Sequence, residues 1–177
     1  MKILLASDIH GSKSAIDKVL ERAGKENCDK IALLGDLYYH GPRNPLPENY
    51  APMEVAKTLN EIKEKLIVIK GNCDAEVDEM ISDFSFEKSV TITVGRKKIF
   101  LTHGHTYNED NMPDGCDVLV YGHFHVGFIK DKDGVIVANP GSCALPKDGF
   151  YGYLVLDENA LTLKEMDGAV VKAVQFA

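Results

Sequence analysis

Short apolar runs recur along the first part of the chain, and each is cut off by a small or polar residue. Ile3-Leu4-Leu5-Ala6 ends at Ser7-Asp8, Ile31-Ala32-Leu33-Leu34 ends at Gly35-Asp36, and Leu66 to Ile69 stops before Lys70-Gly71. A brief, continuously apolar run is what a parallel strand buried on both faces shows. Between the first two runs, Ser12 is placed as an N-cap, with Ala15, Ile16, Val19, Leu20 and Ala23 at helical spacing and Gly24 near the end. Pro52 can occupy the first turn of a second helix carrying Val55, Ala56, Leu59 and Ile62. The segment from Asp36 to Pro52 holds four prolines. It reads as a loop, and loops of that length in a compact domain tend to be functional. Glu76 to Ser82 predicts a short third helix.

Beyond this point the pattern becomes strand-rich. Val90–Val94 and Lys98–Leu101 flank Gly95, and Val126–Lys130 and Val135–Ala138 flank Asp133-Gly134, so two hairpins are predicted. Val118–Tyr121, Tyr151–Leu156, Leu161–Glu165 and Ala169–Gln175 add further strands, with Asp167-Gly168 as another turn. The order is βαβαβ followed by nearly continuous β. It predicts one α/β domain over residues 1–177, with two sheets packed face to face and helices outside.

The 177 residues suffice for one sizeable core, and 45% hydrophobic with 27% charged residues is ordinary for a soluble globular chain. A net charge of -7 without a basic stripe argues against a nucleic-acid or membrane-surface binder. It does not exclude a phosphate substrate, because bound cations invert the local field. Cys28, Cys73, Cys116 and Cys143 are scattered, with no C-x-x-C pair, which fits neither a zinc ribbon nor a secreted disulfide framework. Asp8 and His10 come too early for a signal peptide, and no apolar run is long enough to span a membrane. A reducing cytoplasm is the expected location.

The breaks after the apolar runs carry the chemistry. Asp8 and His10 follow the first run, Asp36 the second and Asn72 the third, at the carboxyl ends of strands where ligands of parallel sheets collect. His103 follows a fourth strand, and His123 and His125 repeat the i, i+2 spacing of Asp8 and His10. In extended backbone such pairs project to one side and can reach one ion. Taken singly, an Asp or Asn after a strand is a turn former or a cap. Four of the six histidines falling in one pattern with these residues points instead to a metal centre. Mixed Asp, Asn and His donors suit Mn, Fe, Zn, Ni or Co, and suit calcium poorly.

The segments Asp8-Ile9-His10, Gly35-Asp36, Gly71-Asn72-Cys73-Asp74, Thr102-His103-Gly104-His105 and Gly122-His123-Phe124-His125 together resemble the signature of the calcineurin-like metallophosphoesterases. His40-Gly41-Pro42-Arg43-Asn44 and Asn139-Pro140-Gly141-Ser142 resemble the YfcE-type bacterial phosphodiesterases within them. The resemblance implies a four-layer α/β/β/α sandwich with two mixed sheets and a centre of two divalent ions, with Mn foremost. It implies that Asp8, His10, Asp36 and His125 hold one ion. It further implies that Asp36 bridges to a second ion held with Asn72, His103 and His123, and that a hydroxide between the ions attacks phosphorus. The implied substrate is a small phosphodiester.

Cys73 departs from the wider family, in which a histidine at this place protonates the leaving group or contacts phosphate. A thiol with an ordinary pKa near about 8.5 is a poorer acid than imidazolium, so slow turnover of basic leaving groups is expected. Asn72, Cys73 and His105 are the candidate catalytic groups, with His40 or His105 able to donate the proton that Cys73 withholds. Arg43, His40 and Asn72 are the candidate substrate contacts, Arg43 because its planar fork matches phosphate. Asp74 is expected to orient its loop. Tyr38, Tyr39, Leu46 and Tyr50 offer an apolar contact for a homo-oligomer. Competing readings are a catalytically weak scaffold on the same fold, as in the retromer subunit, and a phosphomonoesterase or nuclease.

Overall fold

The computed structural model describes Met1 to Phe176. Eleven strands are described: β1 (Ile3–Ala6), β2 (Lys30–Leu33), β3 (Leu66–Val68), β4 (Ser89–Val94), β5 (Lys97–Thr102), β6 (Val118–Val120), β7 (Gly127–Lys132), β8 (Val135–Pro140), β9 (Gly152–Leu156), β10 (Ala160–Glu165) and β11 (Val170–Gln175). The α-helices are α1 (Lys13–Lys25), α2 (Pro52–Glu61) and α3 (Glu76–Met80). One sheet runs β11-β10-β9-β1-β2-β3 and the other β4-β5-β6-β8-β7. Both are mixed. β1, β2 and β3 are parallel while β9 runs antiparallel to β1, and β5, β6 and β8 are parallel between antiparallel edges.

The apolar runs are continuous because both faces of the first sheet are covered. In β1, Leu4 and Ala6 pack against α1 and α2, while Ile3 and Leu5 pack against the second sheet. Ile31 and Leu33 of β2 face the helices, and Ala32 and Leu34 face the other sheet. The middle layer joins these residues to Ile99, Leu101, Val118, Val120 and Ala138 from the second sheet. Burying a residue such as Leu5 or Ile99 completely contributes about 1.5–3 kcal/mol. The outer face of the second sheet carries Leu119, Tyr121 and Val137, covered by Met112 and Cys116 of the 103–117 segment. The expected sandwich of two mixed sheets is present, and the irregular 103–117 segment covers this outer face. Its sequence, Asn108-Glu109-Asp110-Asn111-Met112-Pro113-Asp114-Gly115, is rich in residues that favour turns.

The local signals hold at the elements that flank the site. Ser12 caps α1 by accepting the Ala15 N–H at 3.2 Å, and Pro52 stands at the start of α2. Asp133 and Gly134 both adopt positive φ, the type I′ geometry that joins β7 to β8. Tyr38 departs from the expected surface role. It is only 2% exposed, its ring lies in the helix-side core and its hydroxyl pairs with Ser82 Oγ. Tyr39 and Leu46 remain exposed. All four cysteines are free thiols, and among the described residues no helix is long and apolar enough to cross a membrane.

Candidate metal centre

Both sheets deliver residues to one place. Asp8 and His10 leave the carboxyl end of β1, Asp36 follows β2, Asn72 follows β3, His103 follows β5, and His123 and His125 follow β6. The donor atoms of Asp8, His10 and His125 gather in one cluster, and those of Asp8, Asp36 and His103 in a second. Asp8 Oδ1 lies 3.2 Å from His125 Nε2 and 3.7 Å from His10 Nε2. Asp8 belongs to both, and Asp36 Oδ2 of the second lies 3.8 Å from His10 Nε2 of the first and 3.5 Å from His103 Nε2. Asn72 Oδ1 is 3.0 Å from His103 Nε2, and His123 presents Nδ1 at 3.3 Å from the same nitrogen.

The backbone reason for this convergence is not the one the spacing suggests. Asp8, His10, Asp36, His123 and His125 all adopt positive φ, between 49° and 64°, so the i, i+2 pairs are not extended. The left-handed conformation is disfavoured for residues bearing a Cβ and costs of order 1–3 kcal/mol each. The other non-glycine residues of this kind are Asn27, Asn49 and Asp133, which are turn formers. Close approach does the rest. A Cβ on Gly122 would meet Ser7 Oγ at 1.8 Å and Asp8 Oδ2 at 2.6 Å, and one on Gly71 would meet Asp36 Oδ1 at 2.1 Å. Only glycine lets the loops after β6 and β3 press this closely on the two carboxylates.

Three imidazoles are fixed by backbone carbonyls. His10 Nδ1 donates to Tyr39 O at 2.8 Å, His103 Nδ1 to Leu34 O at 2.7 Å and His125 Nδ1 to Leu145 O at 2.6 Å. A carbonyl only accepts, so each Nδ1 keeps its proton, and in the neutral ring the Nε2 that points inward is bare. His10 Nε2 and His125 Nε2 face each other at 3.2 Å, and two lone pairs at that distance need a proton or a cation between them. Asp8 Oδ1 is likewise buried without a hydrogen-bond donor. Its partner oxygen, Oδ2, accepts the His123 N–H at 2.9 Å. This donor set fits a divalent cation.

Charge behaviour agrees. Burial pushes the Asp8 carboxyl up, but His125 at 3.2 Å and the His103 charge outweigh it and hold it below its ordinary value. Asp36, also penalised by burial, is held well below the usual carboxylate range by His103, the Cys73 N–H and His10. Burial lowers His103, yet Asp36 and Asp8 bring it up to about 9. His125 rises as well, against burial, because the Asp8 carboxylate stands beside it. The cluster draws positive charge and holds it as protons when nothing else supplies it.

The remaining candidates divide. A cavity of about 680 Å³ opens onto Asp36, Asn72, His123 and His125 and is lined by Tyr39, Arg43, Asn44, Cys73 and Lys147. Cys73 donates its backbone N–H to Asp36 Oδ1 at 2.8 Å, and burial beside Asp36 pushes its thiol up to about 12. Its sulfur also stands near the donor atoms of His10 and Asp36. His40 does not line the cavity. Its ring packs edge-on to Tyr39 and Tyr50, and its carbonyl accepts from Asn44 Nδ2. His105 lines a different cleft, with Lys70, Lys88 and Tyr107, its ring 5.4 Å from that of His103 and 6.2 Å from that of His123. Asp74 accepts the backbone N–H groups of Asp36, Leu37 and Gly71, which is the orienting role expected of it. Sequence reasoning missed Lys147, which reaches the site because its N–H bonds to His125 O at 3.0 Å. No local motif marks it.

Residues 1–160 match the calcineurin-like phosphoesterase superfamily domain. The chain belongs to that superfamily. As a calcineurin-like phosphoesterase it is a metal-dependent hydrolase of phosphate esters. It is 42% identical over 167 residues to the phosphodiesterase YfcE of Escherichia coli K12, covering 92% of this chain and 91% of that protein. The solved E. coli YfcE phosphoesterase superposes with a TM-score of 0.96 at 38% identity over all of both chains. Phosphodiesterase MJ0936 of Methanocaldococcus jannaschii is 27% identical over 94% of this chain and 98% of its own.

Proposed function

We propose that this superfamily member hydrolyses a small phosphodiester at a centre of two divalent ions. Asp8, His10, Asp36 and His125 would hold one ion, and Asp36, Asn72, His103 and His123 the other. The observation that carries this reading is the position of Asp36 Oδ2 between His10 Nε2 and His103 Nε2, at 3.8 and 3.5 Å. When bound, two such ions supply Lewis acidity to phosphoryl oxygens and lower the pKa of an attacking water.

The chain's own residues do the rest. Asn72 is exposed to the cavity and offers its amide to a phosphoryl oxygen, while Nδ2 also donates to Cys73 Sγ at 3.4 Å. Arg43 reaches the same cavity with a guanidinium suited to phosphate. Cys73, neutral at pH 7, is a weak acid for the departing oxygen, which favours substrates with good leaving groups. His105, one wall away from the cavity, supports His103 through ring packing. Mixed N and O donors suit Mn, Fe, Zn, Ni or Co, and the family resemblance puts Mn first among them. Four free thiols suit a reducing cytoplasm. The net charge of -7 disfavours long nucleic acids. Filling of every ligand position favours the enzyme over a scaffold.

The test pairs metal analysis with hydrolysis of bis-p-nitrophenyl phosphate. Two ions per chain and Mn-dependent release of nitrophenolate are expected. Two bound ions with no hydrolysis under Mn, Fe, Zn, Ni or Co would sink the reading.

A further inference from the structure

Arg43 and Lys147 line the large cavity from two separate loops, Arg43 from the loop between β2 and α2 and Lys147 from the loop between β8 and β9. Both are exposed, and among the described residues neither side chain makes an ion pair or a hydrogen bond. Many cations of this acidic chain are engaged instead, Lys2, Lys13, Lys25, Lys70, Lys130 and Lys164 with carboxylates. Among the described residues Asp36 is the sole carboxylate lining the cavity, and it belongs to the candidate metal cluster.

The charges do not balance on a simple diester. Two divalent cations set against Asp8 and Asp36 leave a double positive charge. A phosphodiester monoanion and a deprotonated water bring one negative charge each and cancel it. Arg43 and Lys147 are then surplus, and together they match one further dianion, the charge a phosphomonoester carries near pH 7. Space and chemistry between the two regions also fit. The cavity, at about 680 Å³, is far larger than a phosphoryl group needs. Tyr39, 42% exposed, offers it a ring face, and its carbonyl is the anchor for His10.

We propose that Arg43 and Lys147 form a clamp for a second, dianionic phosphate on the substrate, so that the preferred substrate is a phosphodiester with a pendant phosphomonoester. Tyr39 lies against the organic part that links the two phosphates. This rests on the diesterase reading above and names its substrate class.

A matched pair of esters tests it: thymidine 5′-(p-nitrophenyl phosphate) with and without a 3′-phosphate, on the Mn-loaded protein. Calorimetric titration of thymidine 3′,5′-bisphosphate and thymidine 5′-monophosphate gives a second readout that needs no turnover. The 3′-phosphate should raise kcat/KM and affinity by about tenfold, falling with added salt. Arg43→Gln and Lys147→Met should each remove most of that ratio, Lys147→Arg should keep it, and Lys172→Gln on the distant edge strand should leave it intact. Equal hydrolysis and equal binding of the pair would overturn the clamp while leaving the diesterase standing. So would variants that slow both esters alike, since the two cations would then act on the scissile phosphate. Tight, clamp-dependent binding of the bisphosphate with no hydrolysis of either ester would uphold the clamp and sink the diesterase.

Discussion

Asp74 Oδ2 accepts the backbone N–H of Asp36 at 2.8 Å and that of Gly71 at 2.7 Å, tying the loop after β2 to the loop after β3. Its other oxygen accepts from Leu37 at 2.8 Å, so one buried carboxylate fixes the conformation in which Asp36 stands between two histidine sets. Burial outweighs these bonds and lifts the carboxyl to about 6. Asp74→Asn should keep one accepting oxygen and set an NH2 group against a backbone N–H. The expected loss is about 1–3 kcal/mol of stability and about 10–100-fold in metal affinity. Chemical denaturation and metal titration check it; unchanged metal affinity would show that Asp74 does not position Asp36.

Asp36→Asn removes the carboxylate proposed to bridge the two ions. Both ions should be lost together on dialysis, with hydrolysis falling by at least about a hundredfold. One ion retained at full occupancy, read by elemental analysis, would contradict the bridge.

Cys73→His places an imidazole beside Asp36 on the wall of the cavity. Turnover of esters with basic alkoxide leaving groups should rise about tenfold or more, and that of nitrophenyl esters much less. Equal gains on both would show that this position does not serve leaving-group protonation.

Glu26, far from the metal cluster, accepts from Tyr153 Oη at 2.9 Å and pairs with Lys164 and Lys2, joining the end of α1 to β9, β10 and β1. Burial raises its carboxyl, but Lys164 and Tyr153 outweigh it and hold it below the ordinary value. A carboxyl lowered on folding contributes stability above its unfolded pKa of about 4.3, and that stability is lost as pH falls through the folded value. Glu26→Gln should therefore lower Tm by about 2–4 °C at pH 7 and progressively less below pH 4. A pH-independent difference would mean that the charge plays no part.

The chain shows its elements more readily than their arrangement. The apolar runs at Ile3, Ile31 and Leu66, the Ser12 cap and the Asp133-Gly134 turn are local signals, and each element formed where they predict. That β9 inserts beside β1, or that β6 pairs with β8 while β7 takes the edge, depends on contacts distant in sequence that leave no periodicity. The residue types of the candidate metal cluster were legible because each follows an apolar run. Their left-handed backbone was not, since Asp8 and His10 look like ordinary residues after a strand. Lys147 was invisible for the same reason as the strand order: it arrives through the partner loop's backbone.

The donor atoms belong to segments as far apart as Asp8 and His125, and no single sheet supplies them all. If these residues hold the ions as proposed, a nascent chain completes neither ligand set until the residues after β6 have emerged and the two sheets have packed. Full ion uptake would then report completed assembly, and a chain cleaved before His123 would lack ligands of both sets. Ions so bound would tie the two sheets to each other, so chelation should loosen the sandwich as a whole as well as silence the site.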